Sequence, residues 1–333
     1  MRICVVGAGA IGGLLAVKLA HAGEQVSVIA RGPHFAAIAA HGLILHEEGK
    51  EIVARVKAFD RIADAGEQDL IVLGMKAHQV AAAAPDLPAI IGGETMVLTA
   101  QNGIPWWYFF GHGGPHEGMR LESVDPGGII ADALPIDRVI ASVVYPAAEI
   151  ERPGVIRHIE GNRFTLAELG GSKSERIVRV AEAFDRAGFK APVSTDVRTE
   201  IWTKLWGNLS FNPISALTHA TLEDICRFAP THALVAAMMR EAQTVGEAFG
   251  IRFRITLEKR IAGAEAVGAH KTSMLQDVET GRALEVDALL GSMIELGRMA
   301  GVATPHLDAI YAATKLLGRT LTNARSKLAV TRA

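Results

Sequence analysis

Residues 2–32 read RICVVGAGAIGGLLAVKLAHAGEQVSVIARG. Arg2 to Val6 is a short apolar run rich in β-branched side chains, the composition of a buried parallel strand. It runs into Gly7-Ala8-Gly9-Ala10-Ile11-Gly12. Leu14, Leu15, Val17, Leu19 and Ala20 follow as an apolar helix, Gly23 stops it, and Gln25 to Ile29 forms a second strand. Strand, glycine turn, helix and strand within about thirty residues make the unit that holds a dinucleotide. Gly7 permits the tight turn, Gly9 lets the backbone approach a pyrophosphate, and Gly12 lets the helix lie close on the strand. The helix N-terminus then offers N–H groups and a positive dipole end to the phosphates. The plainer alternative is a glycine turn that only connects strand to helix.

The end of the second strand selects the cofactor. NAD enzymes place Asp or Glu there, against the ribose 2′-hydroxyl. This chain has Ala30-Arg31-Gly32 and no acid. Arg31 suits a 2′-phosphate, which its guanidinium fork can grip with two hydrogen bonds. The expected cofactor is therefore NADPH, with a solvated surface arginine as the other reading of Arg31.

Working outward, Asp69 to Gly74 and Met96 to Thr99 are further buried strands, followed by Met75-Lys76-Ala77-His78 and Ala100-Gln101-Asn102-Gly103. Ligands of doubly wound sheets sit beyond the carboxyl ends of the strands. Lys76 is thus a candidate for phosphate or ribose, and Asn102 for a nicotinamide or substrate group. Ordinary turn chemistry accounts for each equally well. Residues 105–128, PWWYFFGHGGPHEGMRLESVDPGG, open with five consecutive aromatics in a chain that is only 5% aromatic. So long an irregular segment is either functional, as a lid or pocket wall beside the nicotinamide, or a packed surface excursion or dimer contact. Val139 to Tyr145, Val155 to His158 and Arg163 to Leu166 read as later strands, and Arg176 to Ala187 as a helix stopped by Gly188. A boundary near Pro192 to Asp196 divides an α/β Rossmann domain, residues 1–193, from residues 194–333. The second stretch shows no convincing strand and reads as all-helical.

The bulk numbers agree. A length of 333 residues suits two domains of roughly 150, and 49% hydrophobic with 21% charged residues excludes a disordered chain. A net charge of −2 recommends neither nucleic acid nor an anionic membrane as partner. Two cysteines, Cys4 and Cys226, without metal-ligand spacing give no reason for a disulfide framework or a metal site. No run of about 18 apolar residues offers a membrane span, and no signal peptide is legible, so a cytoplasmic location is expected.

The second domain carries the chemistry. In Thr199 to Pro213, TEIWTKLWGNLSFNP, Ile201, Trp202, Leu205, Trp206 and Leu209 fill one broad helical arc. Lys204, Asn208 and Asn212 recur at i, i+4 and i+8 along its border. Such groups are costly to bury without partners, so their alignment between tryptophans points to function. Pro213 is expected to end or kink this helix. In His270 to Gly291, HKTSMLQDVETGRALEVDALLG, Ser273 lies at or before a helix start. Glu285 shares an apolar stripe with Leu289, Met293 and Leu296, or is a first-turn glutamate favoured by the helix dipole. Together Lys204 and Glu285 supply the proton donor and charge partner that carbonyl reduction needs.

These segments resemble the ketopantoate reductase family over nearly the whole chain. The resemblance rests on GAGAIG, Arg31, Lys76 after its strand, QNG at Gln101 to Gly103, KLWGNLSFNP, and SMLQD followed by E-V-D. It implies a C-terminal domain like that of 6-phosphogluconate dehydrogenase and NADPH-dependent reduction of 2-dehydropantoate to (R)-pantoate, a step toward pantothenate. It further implies Lys204 as the catalytic acid, Asn208, Asn212 and Ser273 as substrate contacts, and Asn102 and Glu285 as groups near the nicotinamide and the lysine. Two departures stand out. Where many members have an asparagine ten residues beyond Asn212, this chain has Leu222, and its aromatic insertion after Asn102 is longer than usual. Both changes bear on substrate choice and admit a bulkier or less polar 2-oxo acid. Two rivals remain at this level: a 3-hydroxy acid or opine-type dehydrogenase on the same plan, and a non-catalytic NADPH-sensing regulator, which would have no use for the Lys204 stripe. The Ala- and Leu-rich stretches after residue 230 suit either a core or a homodimer interface.

Overall fold

The computed structural model describes residues 1–324 and Leu328. The chain forms two compact units. The first comprises Met1–Gln101, Pro105–Arg120 and Asp125–Val197; the second comprises Asn102–Ile104, Leu121–Val124 and the chain from Arg198 onward. The division therefore falls between Val197 and Arg198 instead of at 193/194, and two short segments of the N-terminal half belong to the second unit.

The first unit runs β1 (Arg2–Val6), α1 (Ala10–His21), β2 (Gln25–Ile29), α2 (Gly32–His41), β3 (Leu43–Glu47), β4 (Lys50–Ala54), β5 (Lys57–Phe59), β6 (Gln68–Leu73), α3 (Ala77–Ala83), β7 (Ile91–Thr99), α4 (Ile129–Ala133), β8 (Val139–Val144), β9 (Ala147–Arg152), β10 (Val155–Glu160), β11 (Phe164–Glu168) and α5 (Glu175–Arg186). Seven strands form one sheet in the order β11-β8-β7-β6-β1-β2-β5. All neighbours are parallel except β11, which runs antiparallel to β8. This is a Rossmann sheet, and its central strands are apolar on both faces because helices and loops cover both. A second sheet, β4-β3-β10-β9, was not anticipated. It closes over α1, and Gly13 lets them meet, since a Cβ there would stand 2.6 Å from Ile156 Cγ1. The hairpin β3–β4 turns at Glu48-Gly49, both with positive φ.

The aromatic segment opens packed inward. Trp106, Trp107, Tyr108 and Phe109 are buried. Tyr108 and Phe109 meet edge to face at 5.0 Å, and the Trp107 indole donates to Thr99 Oγ1 at 3.0 Å. Aromatic surface of this size lowers the free energy most when it leaves water, which is why the segment folds inward.

From Val197 onward the regular elements of the described residues are helices: α6 (Val197–Thr218), α7 (Leu222–Arg227), α8 (Ala229–Ala248), α9 (Leu257–Ala266), α10 (Ser273–Thr280), a π turn at Asp287–Gly291 that continues into α11 (Ser292–Ala300), and α12 (Pro305–Ala324). Helix α8 is the hub, packed by α7, α9, α11 and α12. Trp202 and Trp206 of α6 are fully buried, with the Phe253 ring 4.5 Å from that of Trp206. The Trp206 indole donates to the Met239 carbonyl of α8 at 2.7 Å. Pro213 does not end α6, which continues to Thr218. Proline removes one N–H, the one the Leu209 carbonyl would accept. Pro213 and Ile214 are buried, and that packing outweighs the loss.

Candidate active site

In the first unit the motif glycines take distinct places. Gly7 has φ +98°, and a Cβ on it would stand 2.8 Å from the Met75 amide nitrogen. A Cβ on Gly12 would run into the Gly7 carbonyl oxygen and stand 3.0 Å from Val5 Cγ1, so Gly12 is needed for close packing of α1 on β1. A Cβ on Gly9 would meet nothing nearer than the Gly74 carbonyl oxygen at 4.0 Å. The fold itself therefore does not demand glycine at position 9, and the space beside it is open. Helix α1 carries no side-chain cap. The amides of Ala10, Ile11 and Gly12 lie in its first turn, where no preceding helical carbonyls exist to accept them. The Ala8 amide is directed elsewhere, donating to the Ile29 carbonyl at 3.1 Å together with that of Gly7.

Arg31 follows β2 in an extended conformation and is exposed, free to lie along a ribose phosphate. Lys76 precedes α3, and its amide donates to Gln79 Oε1 at 3.1 Å.

Three supporting contacts escape a reading of the sequence. Gly74 backs the loop, since a Cβ there would meet the Gly7 carbonyl oxygen at 2.8 Å and Gly12 Cα at 2.9 Å. Gln101 donates to the Leu73 and Met75 carbonyls at 2.6 and 3.1 Å, tying the end of β7 to that of β6. His34 accepts the Gly154 amide at Nδ1, 3.0 Å, so its Nε2 carries the proton and donates to the Ala8 carbonyl at 2.7 Å. Burial holds the His34 pKa below its ordinary value, consistent with this neutral tautomer.

The second unit brings Lys204 and Asn102 together. Lys204 Nζ donates to Asn102 Oδ1 at 2.6 Å. Burial lowers the Lys204 pKa from 10.5 to about 8, and the Glu285 carboxylate opposes that fall. The lysine is thus kept cationic at neutral pH yet ready to release its proton, the condition a general acid needs. Glu285 immediately precedes the helical turn that starts at Val286 and is half-buried, so it belongs to the helix entrance. Asn208 is half-buried and Asn212 buried on α6. Ser273 opens α10 behind its N-cap Thr272 and is exposed; Asn212 Nδ2 reaches its hydroxyl at 3.5 Å, the outer limit of a hydrogen bond. Leu222 opens α7 half-buried, its amide donating to the His270 carbonyl at 3.0 Å.

Comparison with known proteins gives a consistent result. The family model described as "Ketopantoate reductase PanE/ApbA" matches residues 3–113, and that described as "Ketopantoate reductase PanE/ApbA C terminal" matches residues 196–318. The 2-dehydropantoate 2-reductase of Mesorhizobium japonicum is 53% identical, over 95% of this chain and 98% of its own. A crystal structure from Ralstonia solanacearum superposes with a TM-score of 0.92 at 41% identity, covering 96% of this chain and 98% of its own. D-mandelate dehydrogenase in ternary complex with NADH and anilino(oxo)acetate superposes at 0.83 with 25% identity, covering 97% and 100%.

Proposed function

Because the chain belongs to the ketopantoate reductase family, we propose that it reduces 2-dehydropantoate to (R)-pantoate with NADPH. The observation that carries this reading is the half-buried ammonium of Lys204, hydrogen-bonded to Asn102 and lowered to a pKa of about 8. A bound nicotinamide supplies the hydride. The residues of the chain do the rest. The first-turn amides of α1 and the space beside Gly9 receive the pyrophosphate, and Arg31 receives the 2′-phosphate that distinguishes NADPH from NADH.

Lys204 faces the ketone oxygen, stabilises the negative charge that develops there, and transfers its proton to that oxygen as the hydroxyl forms. Solvent then reprotonates the lysine. Asn102 orients the ammonium, and Glu285 favours its charged form. Asn208, Asn212 and Ser273 bind the polar groups of the substrate.

Loss of reduced-nicotinamide absorbance with 2-dehydropantoate tests the reading, NADH serving as control. Fast turnover with NADPH and little with NADH is expected. Turnover that survives Lys204→Ala would defeat it.

A second reading, a bulkier 2-oxo acid, is favoured by Leu222 and by the likeness to D-mandelate dehydrogenase. A higher kcat/KM for an aryl 2-oxo acid than for 2-dehydropantoate decides for it. Phe228 and Leu316, both more than half exposed, are the candidates for a homodimer surface, and sedimentation of the full chain tests that assembly.

A further inference from the structure

Between Glu285 and α11 the backbone widens. The Ser292 amide donates to the Asp287 carbonyl, five residues back, where an α-helix would send it to Ala288. The Ala288 carbonyl is thereby released from its helical donor. It accepts instead the Ile104 amide at 3.0 Å and the Ser292 hydroxyl at 2.8 Å. Gly103 lies against the same group, with φ +91° and no room for a Cβ beside the Ala288 carbonyl. The segment Asn102–Ile104 is therefore fastened to the π turn, and Asn102 is the residue that accepts Lys204 Nζ.

The turn is itself held from α12. The Tyr311 hydroxyl donates to Asp287 Oδ1 at 3.0 Å, and the Lys315 ammonium pairs with Asp287 Oδ2. Glu285, which acts on the charge of Lys204, lies two residues before Asp287.

We propose that the π turn Asp287–Gly291, clamped by Tyr311 and Lys315, is the device that positions Asn102 and Glu285 toward Lys204. By freeing one carbonyl it anchors the strap that carries Asn102, and by its register it sets the approach of Glu285. Asp287, Tyr311, Lys315 and Gly103 are positioning residues: they act through Asn102 and Glu285 and need no contact with substrate. An ordinary α-turn would return the Ala288 carbonyl to the Ser292 amide. It would also rotate Glu285 by about 100° relative to α11.

The consequence is specific. An acceptor on the ammonium and a nearby carboxylate both favour the charged form of a lysine. Loosening the turn therefore moves the Lys204 titration to lower pH. In the full chain labelled with 13C-lysine, Lys204 is identified by the signal absent from Lys204→Met, and its titration is followed by NMR. The double variant Tyr311→Phe/Lys315→Met attacks the clamp, and Gly103→Ala attacks the strap from its other side.

Both are expected to lower the Lys204 pKa and to reduce kcat about ten- to a hundredfold, the effect of a small misplacement of a reacting group. KM for NADPH should stay at the wild-type value, and Lys315→Arg, which keeps the cation, should restore most of the turnover. A Lys204 titration that stays at its wild-type pH in both variants overturns the proposal, whatever happens to activity. The inference rests on the reductase reading only through kcat. If the wild-type protein fails to reduce 2-dehydropantoate, that reading falls, while a shifted lysine titration in the two variants still upholds the role of the turn.

Discussion

With Lys204 as the proposed acid, the reaction has a pH limit. Its folded pKa of about 8 lies below the ordinary lysine value of 10.5 because burial disfavours the ammonium more than Glu285 favours it. The acid needed for reduction is therefore present below pH 8 and is lost as pH rises through it. The kcat for ketone reduction should fall roughly tenfold per pH unit above that point. Lys204→Met should lower kcat at neutral pH by about 10²–10⁴ and remove this alkaline limb.

The glycines separate fold from function in the same way. Gly9→Ala has space for its methyl and should keep the wild-type Tm while weakening NADPH binding by about tenfold or more. Gly12→Ala drives its methyl into the loop and should cost roughly 1–3 kcal/mol of stability, read by denaturant titration. Equal losses of stability in the two variants would contradict the assignment of Gly9 to the phosphate.

The lysine and asparagines of α6 were legible because i, i+4, i+8 spacing is a local signal. Gly74 and His34 were not, because what they touch comes from elsewhere in the chain: Gly7 and Gly12 in one case, Ala8 and Gly154 in the other.

Elements were read well where a period or a glycine stop marked them, and poorly where tertiary packing decided. Six of the seven strands of the main sheet and helix α5 showed as apolar runs or an amphipathic period, whereas β5, only Lys57-Ala58-Phe59, is too short to carry one. The hairpin β3–β4 did carry a signal, the two-residue Glu48-Gly49 turn between alternating strands, but charged side chains on its outer face diluted the pattern. At Pro213 an end of the helix was expected and did not occur, because a propensity rule cannot see that the helix around it is buried.

Helix α12 shows how one element leans on another. Its first-turn amides, His306 and Leu307, donate to the Glu241 carboxylate of α8, each at 3.0 Å. Glu241 thus does from outside the helix what an N-cap side chain does from within. Glu241→Ala should destabilise the protein by about 0.5–2 kcal/mol, seen as a Tm lower by a few degrees. Because α12 also carries Tyr311 and Lys315, the same variant should reduce kcat by more than its effect on Tm predicts. A lower Tm with wild-type turnover at low temperature would show that α12 keeps its hold on the π turn without this cap.

At the scale of the whole chain, the proposed reaction is divided between the two units by its chemistry. The first carries the glycine loop and Arg31, proposed for phosphate, and the second carries Lys204, Asn102 and Glu285, proposed for proton transfer. That order was legible because each half has its own motif. The assignment of Asn102–Ile104 and Leu121–Val124 to the second unit was not, since Ile104 is bonded to Ala288, and Glu122 and Ser123 to Glu295, more than 170 residues later in the chain.

The division makes a quantitative claim. Arg31→Ala removes a charged partner of the 2′-phosphate and should raise KM for NADPH by about ten- to a hundredfold, the equivalent of roughly 1.5–3 kcal/mol, while leaving the small activity with NADH unchanged. Lys204→Met acts on kcat alone. Residues that contribute to separate steps combine additively in free energy, so the double variant should lose kcat/KM by the product of the two single losses. A loss much smaller than the product would mean that Arg31 and Lys204 act on one shared event, such as a closure needed for both cofactor capture and proton transfer.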